Sequence, residues 1–147
     1  MTIRQPANYP SRQSQAETIA RLESDLYMAR RAMIGLMRQE ARDILMGYSE
    51  CRDRSDVCDW AEAAAAEVLA FAVPKASEEM GEASGSSPRS VCPLCGDGSM
   101  NLSGVQGFAV PEGLKRHLLG LNKARQCDVF GAAHALARGH VDEERLF

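Results

Sequence analysis

The segment Cys92-Pro93-Leu94-Cys95 carries the plainest chemistry in this sequence. Two thiolates separated by two residues can face one metal ion, and Gly96 immediately after them lets the chain turn its amides towards the sulfurs. Phe108, Leu114 and His117 follow with spacing F-x5-L-x2-H, in which the Phe and Leu form a miniature core and the His projects from the same short helix. Pro111 and Glu112 suit the first turn of that helix, although Gly113 weakens it. The next competent ligand is Cys127, so the whole pattern reads C-x2-C-x21-H-x9-C. Cys127 is preferred to His134 or His140 as fourth ligand because a thiolate in the first turn of a helix is stabilised by the helix dipole. The expected centre is therefore one Zn2+ held by Cys92, Cys95, His117 and Cys127. Four protein ligands leave no open coordination position, so the metal's expected role is structural.

The pattern resembles a variant C2HC zinc finger over residues 92 to 127, with a longer Cys-to-His loop than the two-Cys, two-His finger has. The blocks CPLCGDGS, GFAVPEGLKRHL and ARQC are also similar to small zinc-finger-like proteins of bacteriophages and prophages. That resemblance implies a phage or prophage accessory factor, working in the host cell cytoplasm. Cys51 and Cys58 lie apart from the C-terminal cysteines and are read as ordinary thiols. The five cysteines are an odd number, and the polar N-terminus shows no signal-type apolar segment, which argues against a disulfide framework.

The elements that position these ligands are helical, and the fold class expected is mainly α: a long helical hairpin followed by a small zinc module with a C-terminal helix. Residues 1–13 contain two prolines and few apolar groups and read as a disordered arm. In the hairpin region, 14–73, Ile19, Leu22, Leu26, Ala29 and Met33 recur at heptad spacing. A strict heptad would next place Glu40 and Asp43 in the seam, but a shift to Met37, Ala41, Ile44 and Tyr48 restores an apolar stripe, as a stutter does. A second helix from Asp56 to about Val73, capped by Ser55 or Asp56 and ended by Pro74, would fold back along the first. Being shorter, it would leave Ile19, Leu22, Leu26 and Met33 to a partner or to a second copy of the chain. Residues 74–90 read as a flexible linker and 91–147 as the zinc-binding module, with a helix over Asp128–Arg138.

Composition excludes several classes. The 147 residues are 45% apolar, 25% charged and 5% aromatic, ordinary for a small globular chain. No apolar run approaches the ~18 residues that cross a bilayer, so no membrane role is expected. Seventeen basic against 20 acidic residues give a net charge of −3, without the basic excess of a broad nucleic-acid-binding face. Lys115, Arg116, Lys123 and Arg125 form one local basic stretch, the basis of an alternative reading as a small nucleic-acid-binding regulator.

No catalytic residue is assigned: Asn122 near His117 is the only echo of a zinc-stabilised His nuclease. The segment Asp56-Val57-Cys58-Asp59-Trp60-Ala61, a D-x-x-D-x-A pattern at the expected hairpin tip, resembles the tip of coiled-coil factors that enter the secondary channel of bacterial RNA polymerase. The same two carboxylates also suit helix capping. The functional expectation is a non-enzymatic zinc-binding protein that binds a host protein and modulates or inhibits it.

Overall fold

The computed structural model describes residues 11–74, 88–98 and 106–144. It is mainly α. Helix α1 spans Arg12–Gly35 and α2 Gln39–Met46; a short 3-10 turn, Gly47–Glu50, leads towards α3, Arg54–Ala70. Two short antiparallel strands, β1 (Arg89–Ser90) and β2 (Phe108–Ala109), pair Ser90 with Phe108. Helix α4 covers Glu112–Leu119 and α5 covers Asp128–Glu144, well beyond the expected end at Arg138.

The long first helix is broken rather than stuttered. Its last turn closes with the Leu36 amide donating to Ala32, and Met37 donating to Ile34. Arg38 is then extended, with ψ 153°, before α2 begins. Gly35 is a poor helix former at that point, and a straight continuation would have carried Glu40 and Asp43 into the seam. The break turns Leu45 and Tyr48 into the core and leaves Asp43 exposed.

The start signals also differ from those expected. Ser11 caps α1 by accepting from the Ser14 amide at 3.1 Å, so the helix begins inside the stretch read as an arm. Residues 1–10 and 75–87, which hold most of the arm and linker readings, lie outside the described residues. Asp53, rather than Ser55 or Asp56, caps α3, and the Asp56 carboxylate reaches back to the Arg52 amide at 2.8 Å. These reciprocal bonds occupy donors that the helix start would otherwise leave unpaired.

The packing is not the expected hairpin of two helices. The C-terminal half of α1 lies along α5, the last helix, while α3 packs against α4, α5 and α2. Ala61, Ala64 and Ala65 are buried on α3, and side chains this small let neighbouring helices approach closely. The helical region and the Cys/His region therefore share one core, in which Ile34, Leu45, Val68, Leu114, Leu118, Phe130 and Val141 are fully enclosed. Trp60 joins the two, its ring stacked on Phe130 at 5.9 Å and its indole N–H donating to the Ile44 carbonyl. The Asp56–Asp59 segment thus opens a packed helix instead of forming the tip of a projecting hairpin.

The N-terminal half of α1 is different. Every residue from Ser11 to Ala29 is exposed, including Ile19, Leu22 and Leu26. Met33, assigned to the same stripe, is half-buried against the core and does not belong with them. No helix among the described residues is long and apolar enough to cross a membrane.

Candidate metal centre

Three elements deliver the four donors. Cys92 and Cys95 lie on the turn that follows β1, His117 on α4, and Cys127 immediately before α5. The turn is closed by the Gly96 amide donating to the Cys92 carbonyl and the Cys92 amide donating to Asp97, both at 2.8 Å. Gly96 has φ +76°, a left-handed conformation that glycine adopts without strain. The Asp97 amide then points at the Cys95 sulfur, 3.4 Å away. Cys127 is tied to α4 by its amide, which donates to the His117 carbonyl at 2.8 Å, and its own carbonyl accepts from Gly131 in the first turn of α5. Phe108 stacks on the His117 ring at 4.3 Å, and Leu114 beneath is fully buried, so the F-x5-L-x2-H spacing makes the miniature core it implies.

The donor atoms of Cys92, Cys95, His117 and Cys127 all lie within 4.8 Å of one another. Bonds of about 2.3 Å to sulfur and about 2.0 Å to nitrogen give tetrahedral edges of about 3.8 Å between sulfurs and about 3.5 Å between sulfur and nitrogen. The Cys92–Cys127 sulfur separation is 3.8 Å and the Cys95 sulfur lies 3.3 Å from His117 Nε2. His117 Nδ1 faces the Arg125 carbonyl at 3.2 Å; a carbonyl only accepts, so Nδ1 holds the proton and Nε2 keeps its lone pair for the metal. The four side chains are placed so that they could hold one metal ion between them.

The electrostatics fit a cation. The Cys92 thiol is lowered to about 5, chiefly by a hydrogen bond from Cys127, with the turn amides adding to it and burial opposing. Cys127 is pushed up by that same bond and by burial, and Cys95 is pushed up by burial. Thiol ligands bind a metal as thiolates, so loading a divalent ion at these sulfurs releases protons.

His134 and His140 are not in the cluster. His134 sits edge-on to Trp60 and Phe130, its Nδ1 facing the Gln126 amide at 3.2 Å. Burial, and then Arg138, lowers its pKa, which favours the neutral ring. Gln126 also donates to the Leu118 carbonyl, fastening the loop between His117 and Cys127 to both helices that the loop joins. Nothing in the spacing pattern singles out Gln126 or the Arg125 carbonyl, since their roles depend on how the loop folds back. Cys51 is buried, with its thiol raised by desolvation and then by Asp56, while Cys58 is exposed. Neither joins a cluster of metal donors among the described residues.

The basic stretch is partly neutralised by its surroundings. Lys115 pairs with Glu62 at 3.3 Å and Arg125 with Asp128 at 3.6 Å. Arg116 and Asn122 line an open groove of about 640 Å³ beside His117, which also contains Asp97 and Asp128. Lys123 is exposed on the left-handed turn with Asn122. The His117 nitrogens face Cys95 Sγ and the Arg125 carbonyl, and no contact to Asn122 is among them. No family model, curated protein or solved structure matches the chain.

Proposed function

We propose that this chain is a non-enzymatic interaction protein whose core is stapled by one structural Zn2+, and that it engages a protein partner through the exposed half of α1. The observation that carries the zinc reading is the Cys3His set, its donors within 4.8 Å of one another with two edges close to tetrahedral length, and a His whose Nδ1 faces a backbone carbonyl. Three thiolates and an imidazole suit zinc, and a site already filled by four protein donors supplies folding energy rather than a bound water. The partner reading is supported by Ile19, Leu22 and Leu26, exposed at heptad spacing on a helix otherwise anchored only at its C-terminal end. A host protein bound by a phage or prophage accessory factor is the partner class that the sequence resemblance suggests.

Elemental analysis of the purified chain should give one zinc per molecule. Capture from a nuclease-treated bacterial lysate should retain a discrete protein that the double variant Leu22→Gln, Leu26→Gln loses. Recovery of nucleic acid from a parallel untreated lysate, with bound proteins lost on nuclease treatment and the binding abolished by removing Arg116 and Lys123, would replace this reading with that of a nucleic-acid-binding regulator.

A further inference from the structure

A second concave site, sharing no residue with the metal centre, lies where α1 crosses α5 and the 3-10 turn. It encloses about 340 Å³ and is lined on one side by Tyr27, Arg30 and Arg31, and on the others by Met46, Tyr48, Ser49, Ala135, Leu136, Gly139, His140 and Glu143. Its floor is apolar and aromatic: Leu136 is buried, and Tyr48 is only 6% exposed. Its charge comes from α1. Arg30 is half-buried, while Arg31 and Tyr27 are exposed at the rim, the Arg31 guanidinium lying over the Tyr27 ring, 5.7 Å from its centroid. Among the described residues neither arginine has a carboxylate within ion-pair distance, although Glu143 lines the same cleft. The positive charge reaches the floor, where Arg31 favours the ionised form of the Tyr48 phenol while burial and the neighbouring Tyr27 oppose it more strongly.

Arg30 is partly shielded from water and Arg31 is exposed at the rim, and a carboxylate or phosphate presents oxygens matched to the fork of N–H groups that each carries. The Tyr27, Tyr48, Met46 and Leu136 side chains can cover the stem that bears such a group, and Arg31 is already positioned against an aromatic face. Pockets with an apolar lining and a few convergent polar groups bind small ligands or single side chains of this amphipathic kind. We propose that this cleft is a recognition pocket for an anionic group on an apolar stem, a carboxylate or a phosphate monoester, gripped by Arg30 and Arg31.

The test titrates the full-length, zinc-loaded chain with phenyl phosphate, benzoate and uncharged benzamide while following backbone amide resonances. The two anions should give saturable shifts at Ser49, Ala135 and Gly139, weakening as salt is added, and benzamide should not. Tighter binding of phenyl phosphate than of benzoate assigns the pocket to phosphate monoesters; the reverse order assigns it to carboxylates. Arg31→Gln should weaken anion binding about tenfold or more, as expected for a lost charge-assisted hydrogen bond. Glu143→Gln, which removes the acidic group from the lining, should tighten binding several-fold, a gain that a damaged fold could not produce. Arg21→Gln, exposed on α1 and outside the cleft, should change nothing. Shifts of equal size with benzamide, no saturable shift at tens of millimolar anion, or an unchanged affinity in Glu143→Gln would each overturn the proposal.

Discussion

The two ends of this molecule treat apolar surface in opposite ways. Around Cys127 the chain is folded back on itself several times within a few dozen residues, and each turn is fixed by a donor atom, an amide bond or a stacked ring. Along α1 the first 18 of its 24 residues, Arg12–Ala29, include none that is buried. The contrast separates a part of the chain whose conformation is fixed by tertiary contacts from a part whose apolar stripe is uncovered. Most helical stability in proteins comes from packing of an apolar face, which this segment lacks among the described residues.

Removing the metal should have the largest effect. Metal-linked folding in zinc-finger peptides is worth about 10–16 kcal/mol, comparable with or above the whole stability of a small domain. Cys92→Ser with Cys95→Ser, or chelation of the native chain, should therefore abolish the cooperative folding transition. Because α3 packs on α4 and α5, residues 54–70 should lose hydrogen-exchange protection along with residues 106–144. Protection retained by α3 after metal loss would show that the two regions fold independently, and the contrast drawn here would have to be redrawn at residue 74.

The junction itself comes next. Phe130 is fully buried and stacked on Trp60, the sole tryptophan. Phe130→Ala should cost about 3–5 kcal/mol, since the contacts on both sides of the ring are lost together. The same change should shift the Trp60 emission to longer wavelength as water reaches the indole. A loss below about 1 kcal/mol, smaller than even an Ile→Val deletion can cost, would mean that the shared core is not what holds α3 to α5.

A smaller effect separates capping from function at the start of α3. Asp53→Ala should cost about 1 kcal/mol in a denaturation experiment, the usual value of an N-cap. Asp59→Asn, at an exposed position, should stay within about 0.5 kcal/mol. Should Asp59→Asn alter a binding property while leaving stability alone, the carboxylate has a role beyond the helix.

What could be read in the sequence follows the range of the interactions. The C-x2-C turn, the F-x5-L-x2-H spacing and the thiol ahead of α5 are local patterns, and the structure places all four donors together. The apolar period of α1 identified a helix, but the partner of its C-terminal half lies about a hundred residues away in α5, and no periodicity encodes that choice. The break at Leu36–Arg38 was foreshadowed by Glu40 and Asp43 falling in the seam; reading it as a stutter overlooked the weak helix propensity of Gly35. Gln126 and Trp60 were missed because their roles are tertiary: one fastens a loop to two helices, the other bridges regions distant in sequence.

The smallest expected change in stability is also the most informative about function. Leu22 and Leu26 are 56% and 48% exposed, so exchanging both for Gln removes little buried area from the free protein. The melting transition should move by no more than the equivalent of about 0.5 kcal/mol, because exposed positions away from caps and cores rarely matter more. Binding to a partner that covers the stripe should instead fall by about tenfold or more, since each half-exposed leucine would forfeit roughly half of the ~1.5–3 kcal/mol that full burial is worth. A variant that melts normally but captures nothing would separate the two ends of the molecule cleanly, one committed to folding and the other to recognition. A variant destabilised by several kcal/mol would show that the stripe is covered within the free protein itself, and that α1 is as much a part of the core as α5.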